Sequence, residues 1–204
     1  MKRSSLLLAG GLGTRLNGKE KALLPFKEGA LIENTLRVLD EVSDEVVISL
    51  RDESQVQYFS SYLQGRKTVT DSIRNIGPLA GMLEGFRKAE GEYILVVACD
   101  MPFLDSDILN ELFEMVQGHD AVVPVSPGGK KEPLHAVYRR DPMISLIDES
   151  IGEGDRFVLS PVLKLSDVIY MDKTELKEIG GQLRTFANIN SPEDMEMLND
   201  NEEL

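Results

Sequence analysis

The sequence predicts an α/β fold of three layers, Rossmann-like, with a mostly parallel sheet, helices on both faces and an additional hairpin in the C-terminal half. Strand-like runs alternate with helix-like segments between residues 6 and 116, a pattern typical of parallel sheets. The first run ends in a glycine-rich turn. A later run, residues 93–99, is continuous, apolar and β-branched, as the central strands of such sheets are.

The individual elements follow from hydrophobic spacing and from breaker residues. The predicted strands are residues 6–9, 46–50, 67–70, 93–99, 121–125, 132–138 and 168–171. The predicted helices are residues 31–39, 53–63, 77–89, 105–116, 142–151 and 157–165. Residues 186–190 are predicted to be extended and to lead into a last helix, because Ser191 is a suitable N-cap and Pro192 a suitable first helical residue.

Composition limits the domain count and the compartment. The chain's 204 residues suit a single domain, residues 1–204, with a sizeable core. No apolar run is long enough to span a membrane, and Cys99 is the only cysteine, so no internal disulfide can form. The apolar run after Arg3 is short and enters the glycine turn, so we interpret it as the first strand and not as a targeting segment. We therefore expect a cytoplasmic protein with no membrane partner.

The charge distribution limits the partners. A net charge of −13 argues against nucleic-acid binding, which needs a basic face. Basic residues nevertheless predominate at the start of the chain, at Lys2, Arg3, Arg15, Lys19, Lys21 and Lys27. Because the rest of the chain is acidic, this first segment is the expected place for an anionic ligand.

The stretch that begins at Leu8 has the sequence LAGGLGTR and follows the first predicted strand. Glycines lack a Cβ, so the backbone can turn tightly there and bring its N–H groups close to an anion, usually a phosphate. Basic side chains close by add positive charge. The residues predicted to form this nucleotide phosphate site are Gly10, Gly11, Gly13, Arg15 and Lys21.

Two familiar phosphate motifs do not fit this stretch. The dinucleotide pattern needs a third glycine where Leu16 stands. The P-loop pattern fits at Gly13, Gly18 and Lys19, but Glu20 stands where that pattern needs a magnesium-binding hydroxyl. The site is therefore of another kind.

Two acidic residues follow predicted strands. Asp100 follows residues 93–99, and Asp71 follows residues 67–70. Open α/β sheets bind ligands at the carboxyl ends of their strands, and Mg²⁺ beside a triphosphate takes one or two carboxylates plus phosphate oxygens. Asp100 is thus the predicted metal ligand; its alternative role, capping the next helix, could be filled by Asp105 or Ser106. Gly77, at the start of the helix of residues 77–89, offers a second set of backbone donors.

Four segments occur in a characteristic order: the glycine loop with Lys21, Gly-Pro-Leu-Ala-Gly from Gly77, Cys-Asp-Met-Pro from Cys99, and Phe-Ala-Asn-Ile-Asn-Ser-Pro-Glu-Asp from Phe186. In these segments the chain resembles the molybdenum cofactor guanylyltransferases, which join GMP to molybdopterin. The glycine loop marks only the wider nucleotidyltransferase superfamily. The second and fourth segments are much more specific to this branch, and the likeness covers nearly the whole chain.

The resemblance implies a role for each matching residue. The residues that match GTP contacts are Leu8, Ala9, Gly10, Lys21, Asp71 and Asp100. It further implies that Asp100 binds Mg²⁺ and that Asn188 and Asn190 lie near the reacting phosphates. The family often has an asparagine just after its second strand, where this chain has Ser49, Leu50 and Arg51; Ser49 or Arg51 could replace it.

The expected reaction is attack of the terminal phosphate of molybdopterin on the α-phosphate of GTP, with release of pyrophosphate. Residues 1–117 would bind the nucleotide and residues 118–198 the acceptor, followed by an acidic tail at 199–204. Arg15 would hold the leaving pyrophosphate, and Lys21 would reach the α-phosphate. Arg156 and His135 are candidates for contact with the acceptor, although a packed histidine is equally consistent with the sequence.

Other interpretations stay open at this point. A sibling enzyme could transfer CMP to molybdopterin, or GMP to a phospholactate or a cobinamide phosphate. A regulatory protein could bind GTP without turnover, although such a protein has less need of a charge clamp on the leaving phosphates. Enzymes that insert the cofactor, or molybdoenzymes themselves, are expected as transient partners.

Overall fold

The chain folds into a central sheet flanked by helices. A computed structural model describes residues 2–11, 20–73, 76–178, 183–189 and 194. The strands are β1 (Arg3–Leu8), β2 (Pro25–Phe26), β3 (Gly29–Ala30), β4 (Glu45–Leu50), β5 (Lys67–Thr70), β6 (Tyr93–Ala98), β7 (Ala121–Val125), β8 (His135–Arg139) and β9 (Val168–Asp172). The α-helices are α1 (Leu31–Val42), α2 (Glu53–Tyr58), α3 (Ser60–Leu63), α4 (Pro78–Lys88), α5 (Ser106–Met115), α6 (Arg140–Gly152), α7 (Leu159–Lys164) and α8 (Glu175–Glu178). Short 3-10 helices span Lys21–Leu23 and Leu183–Phe186.

The sheet has seven strands in the order β5-β4-β1-β6-β8-β7-β9. The strands β5, β4, β1 and β6 run parallel to one another, and β7 and β9 form a second parallel pair. The strand β8 is antiparallel to both β6 and β7 and joins the two parallel groups. The predicted α/β class is confirmed, and so is the predicted pairing of residues 121–125 with the segment that contains β8.

Successive side chains along the strands are buried on opposite faces of the sheet, because side-chain direction alternates with a period of two residues. Leu7 and Ile48 pack in the layer that contains α1 and α5. Leu6 and Val47 pack in the layer that contains α4 and α6. Both faces of the central parallel strands are therefore covered, which explains why the sequences of these strands are continuous apolar runs.

Two predicted elements differ from the observed ones. The helix expected over residues 53–63 is divided into α2 and α3 at Phe59, whose backbone (φ −89, ψ 1) leaves the helical geometry while its ring is fully buried. Phe186 was expected to be extended but ends a 3-10 helix, and residues 187–189 follow without regular structure. Of the helix predicted to start at Ser191, the structure describes only Asp194, which is helical.

Within residues 2–11, 20–73, 76–178 and 183–189, no helix combines the length and apolar character needed to cross a membrane.

Candidate active site

A cavity of about 620 Å³ opens where the parallel strands end. Each strand of the group β5-β4-β1-β6 contributes to its wall at or just beyond its carboxyl end. The lining residues used below are Gly10, Lys21, Ser49, Arg51, Asp71, Gly81 and Asp100. The strand order therefore brings together residues that are far apart in the sequence, and the cavity lies where open α/β sheets bind ligands.

The sequence-predicted residues fall into three groups. Leu8, Gly10, Gly11, Lys21, Asp71, Gly77 and Asp100 all line the cavity. Ala9 is buried directly behind it, with 1% of its surface exposed. The predicted residues Gly13, Arg15 and Asn190 lie outside the described part of the chain.

Lys21 and Asp100 form the polar corner of the cavity. The Nζ atom of Lys21 lies 3.2 Å from Oδ2 of Asp100 and donates a second hydrogen bond, also of 3.2 Å, to the carbonyl of Ile189. The N–H of Ile189 donates to the backbone carbonyl of Asp100 at 2.8 Å. Three distant parts of the sequence thus meet at one point, and both charged side chains keep about a fifth of their surface exposed, 19% and 22%.

The residue before Ile189 carries a buried amide oxygen without a hydrogen-bond partner in the described part of the chain. Asn188 directly precedes Ile189, and no described residue donates a hydrogen bond to its buried Oδ1 atom. A carboxylate at Asp100 and an amide oxygen at Asn188 are the hard oxygen donors that Mg²⁺ prefers. Elsewhere in the described ranges, no set of three histidine, cysteine, aspartate or glutamate side chains is arranged to hold a metal. The corner thus fits a cation that takes its other ligands from phosphate and water.

Asp71 lies at the opposite side of the cavity. Burial raises the pKa of its carboxyl group to about 6, and the negative charges of Glu84 and Asp52 add to the effect, while Arg51 opposes it. A Cβ added at Gly81 would lie 2.3 Å from Ser49 Oγ and 3.3 Å from Asp71 Oδ1. Glycine at this position of α4 therefore lets the helix lie directly against Ser49 and Asp71 at the cavity wall.

Glu20 and Gln55 bond residues of the site, and the sequence predicted no role in the site for either of them. Glu20 Oε1 accepts from Nη2 of Arg51 at 3.0 Å, and its Oε2 accepts from Nε2 of Gln55 at 2.8 Å. Gln55 lies in a helix whose sequence carries no recognisable motif. Its contact with Glu20 depends on how α2 packs against the glycine-rich stretch, which the sequence of α2 does not indicate. Glu20, which breaks the P-loop pattern, has its own structural partners here.

Three of the candidates for the acceptor side, Asn188, His135 and Arg156, do not line the cavity. His135 is fully buried on β8, with its ring 4.5 Å from that of Phe186. Burial and the nearby charge of Lys173 lower the pKa of His135 to about 3, so its imidazole is neutral near pH 7. Arg156 is exposed in the loop before α7.

Comparison with known proteins agrees with this geometry. The family model described as the MobA-like NTP transferase domain matches residues 5–167. The chain belongs to this family. It is a nucleotidyltransferase, and the resemblance indicated by the four sequence segments is confirmed.

Two relatives of this chain carry the name of the same enzyme. A Methanosarcina mazei protein named "Probable molybdenum cofactor guanylyltransferase" is 39% identical over 201 residues, which cover 96% of this chain and 89% of the relative. The molybdenum cofactor guanylyltransferase of Pseudomonas entomophila is 30% identical and covers 93% of this chain and 94% of its own length. The crystal structure of molybdopterin-guanine dinucleotide biosynthesis protein A from Archaeoglobus fulgidus has a TM-score of 0.81 at 29% identity, with 97% of both chains covered.

Proposed function

We propose that this protein transfers GMP from GTP to the terminal phosphate of molybdopterin and releases pyrophosphate. The observation that carries the proposal is the pairing of Lys21 with Asp100 at the ligand edge of the sheet, in a chain of the MobA-like family. The names of relatives that match over nearly the whole chain support the same substrates.

The chemistry needs alignment and charge neutralisation more than a proton acceptor. The attacking phosphate of molybdopterin is already an anion, so no strong general base is required. Preorganised cations that face the developing charge then provide most of the rate enhancement. Lys21 would neutralise charge at the α-phosphate, and Arg15 would hold the leaving pyrophosphate.

Mg²⁺ is the cation proposed for the polar corner. Asp100 would bind it, and the Oδ1 of Asn188, which is unpartnered among the described residues and directly precedes the Lys21 contact at Ile189, is proposed as a further oxygen donor. When bound, Mg²⁺ acts as a Lewis acid and as a template for the triphosphate. Without nucleotide, the carboxylate of Asp100 is paired with Lys21; in the complex, Lys21 would turn to the phosphate.

Asp71 is the proposed contact for the base. Its carboxylate is a hydrogen-bond acceptor at the end of the cavity away from Asp100, and guanine presents an amino donor on its N2 atom. Cytosine also carries an amino group, so the contact does not by itself exclude CTP. Arg51 lies beside Asp71 and could donate to an acceptor on the base.

The proposed division of the chain follows the same layout. Residues 1–117 form the nucleotide half and residues 118–198 the acceptor half, with Arg156 and Asn190 proposed to contact the acceptor. His135 is less suited to that role, because its ring is fully buried. We propose that the protein works in the cytoplasm, without nucleic acid, and passes its product to insertion proteins or molybdoenzymes by transient contact.

The test is pyrophosphate release with purified protein, Mg²⁺ and molybdopterin, with GTP, CTP and ATP compared. The expected result is release that depends on molybdopterin and is fastest with GTP. Faster release with CTP would overturn the guanine assignment and leave a sibling cytidylyltransferase, consistent with Arg51 in place of the family's usual asparagine. Release that occurs only with another phosphorylated acceptor would overturn molybdopterin as the substrate.

A further inference from the structure

A single buried amide connects the two described ends of the glycine-rich stretch. Gln55 lies in the first turn of α2 and is only 2% exposed. Its Nε2 atom donates to the carbonyl of Ala9 at 3.1 Å and to Oε2 of Glu20 at 2.8 Å. Ala9 precedes the glycines and Glu20 follows the stretch, so one side chain fixes the separation of these two points.

The amide is also fixed on its own side. Its Oε1 atom accepts from the backbone N–H of Arg51 at 2.6 Å. The backbone N–H of Gln55 donates to Oδ1 of Asp52, the N-cap of α2, at 2.9 Å. Both ends of the amide are therefore used, and this one planar group, with its donors and its acceptor, satisfies Ala9, Glu20 and Arg51 together.

Arg51 makes a second connection between the same segments. Its Nη2 binds Glu20, and its Nη1 donates to the carbonyl of Gly10 at 3.4 Å. The backbone of Gly10 lies so close to Arg51 that an added Cβ would be 3.0 Å from its amide nitrogen. Two side chains, Gln55 and Arg51, thus hold the beginning of the stretch and Glu20 in one network.

The network begins where regular pairing ends. The N–H of Ala9 still donates to Ser49 of β4 at 2.9 Å, which continues the ladder between β1 and β4. The carbonyl of Ala9 instead faces Gln55. The side chain therefore sets the direction in which the backbone leaves the sheet, at the border of the cavity that Gly10 and Gly11 line.

We propose that Gln55 is a positioning residue for the triphosphate: together with Arg51 and Glu20, it preorganises the backbone of Ala9 and Gly10, where the glycine-rich stretch begins, before the nucleotide binds. Gln55 itself touches no phosphate; it acts through Ala9 and Glu20. This inference rests on the proposed function only in taking a nucleoside triphosphate as the ligand. It requires no particular acceptor.

The test compares the binding of GTP with that of guanosine, each measured by calorimetry in the presence of Mg²⁺, for the wild type and Gln55→Glu. The substitution keeps the shape of the side chain but places a carboxylate against Ala9 and Glu20. We expect the affinity for GTP to fall about tenfold, because buried polar contacts are left unpaired or repulsive. The affinity for guanosine, which lacks phosphates, should change less than about twofold.

A swapped pair provides the rescue. In the double variant Glu20→Gln with Gln55→Glu, the new amide at position 20 can donate to the new carboxylate at position 55 and still accept from Arg51. GTP affinity should recover by about threefold relative to Gln55→Glu alone, since interacting residues are not additive. The Ala9 carbonyl does not regain its donor, so recovery should be incomplete.

Ser4→Ala is the matched control for loss of stability. Ser4 is also fully buried and polar, and it lies at the opposite end of β1, where it bonds Glu45 and accepts from the N–H of Gly91. We expect this variant to lower the melting temperature without changing GTP affinity. Should Gln55→Glu fail to fold, Glu20→Gln alone removes one bond of the network without adding charge, and a smaller, triphosphate-specific loss is expected.

The outcomes separate this inference from the proposed function. Equal weakening of GTP and guanosine, no weakening of GTP, or absence of rescue in the swapped pair would each overturn the positioning role, as would a wild type that binds no nucleoside triphosphate. If the wild type binds GTP and the variants behave as expected, but no GMP reaches molybdopterin, the proposed function fails while Gln55 keeps its role.

Discussion

The parallel strands carry a partly buried carboxyl group at each of their two ends, the amino-terminal and the carboxyl-terminal edge of the sheet, but the two groups are in opposite electrostatic environments. At the amino-terminal edge, the pKa of Glu45 is lowered to about 2, because desolvation is outweighed by hydrogen bonds from Lys67 and Ser4. At the carboxyl-terminal edge, the pKa of Asp71 is raised to about 6, because desolvation prevails over the attraction of Arg51. The same strand, β4, begins with Glu45 and ends close to Asp71.

The difference separates the scaffold from the site. Glu45 also accepts from the backbone N–H groups of Glu90 and Gly91, so its carboxylate is satisfied by the protein itself. Asp71, which lines the cavity, and the buried Oδ1 of Asn188 lack such compensation from the described residues. A folded protein tolerates poorly compensated polar groups mainly where a ligand completes them. The comparison therefore predicts that substitutions at one edge change stability and substitutions at the other change turnover.

The largest expected effect is at Asp100. We expect Asp100→Asn to lower kcat by about 10²–10³, the typical loss when one preorganised electrostatic contact is removed. Its melting temperature should stay close to that of the wild type, because the paired side chains are partly exposed. Pyrophosphate release and thermal unfolding measure the two quantities. Wild-type turnover in this variant would remove Asp100 from the proposed mechanism.

Two glycines of α4, Gly81 and Gly85, allow a direct comparison of a substitution at the site with a substitution in the core. A Cβ at Gly81 would enter the cavity beside Ser49, whereas a Cβ at Gly85 would meet the side chain of Leu6 at 2.4 Å in the core. We expect Gly81→Ala to raise the KM for GTP about tenfold, and Gly85→Ala to destabilise the fold by about 1–3 kcal/mol through overpacking. Steady-state kinetics and denaturant unfolding of both variants check this. Equal kinetic effects at the two positions would contradict the assignment of the cavity.

The Asp71→Asn substitution is expected to weaken GTP binding but to stabilise the fold at neutral pH. A carboxyl whose pKa rises from 3.8 to about 6 on folding holds its proton more tightly in the folded state. Its contribution to stability is therefore lost as the pH rises from about 4 through about 6. Asp71→Asn should raise the melting temperature at pH 7.5 and weaken GTP binding, and the decline in GTP affinity below about pH 6 should disappear. Calorimetry between pH 5 and pH 8 tests this; an unchanged pH dependence would exclude Asp71 as the base contact.

The smallest effect on activity is expected at Glu45. Glu45→Gln removes the ion pair with Lys67, 2.7 Å long in the wild type, and should cost about 1–2 kcal/mol of stability at neutral pH. Because the pKa of Glu45 is lowered on folding, this stabilisation is present above about pH 4.5 and is lost as the pH falls towards 2. The kcat should stay within about twofold of the wild type. A kinetic defect in Glu45→Gln that is larger than that of Gly81→Ala would contradict the assignment of stability to the amino-terminal edge and of turnover to the carboxyl-terminal edge.

The sequence predicted the cavity's main elements because local patterns encode them. Uninterrupted apolar runs indicated the buried strands, and the residues that directly follow them, Gly10, Asp71 and Asp100, line the cavity. The break at Phe59 was not predicted, because the burial of its ring depends on packing that the helical pattern does not contain. Gln55 was also missed: its partners, Ala9 and Glu20, are contacts across the fold and leave no periodic pattern.

The most direct test of the account is to identify the product made from GTP that is labelled at its α-phosphate, with molybdopterin and Mg²⁺ present. The wild type and Glu45→Gln should both yield a labelled compound whose mass is that of molybdopterin plus GMP less one water, and Asp100→Asn should yield almost none. Label that remains in GTP, or that appears only as free GMP in the wild type, would contradict transfer to molybdopterin at the carboxyl edge of the sheet.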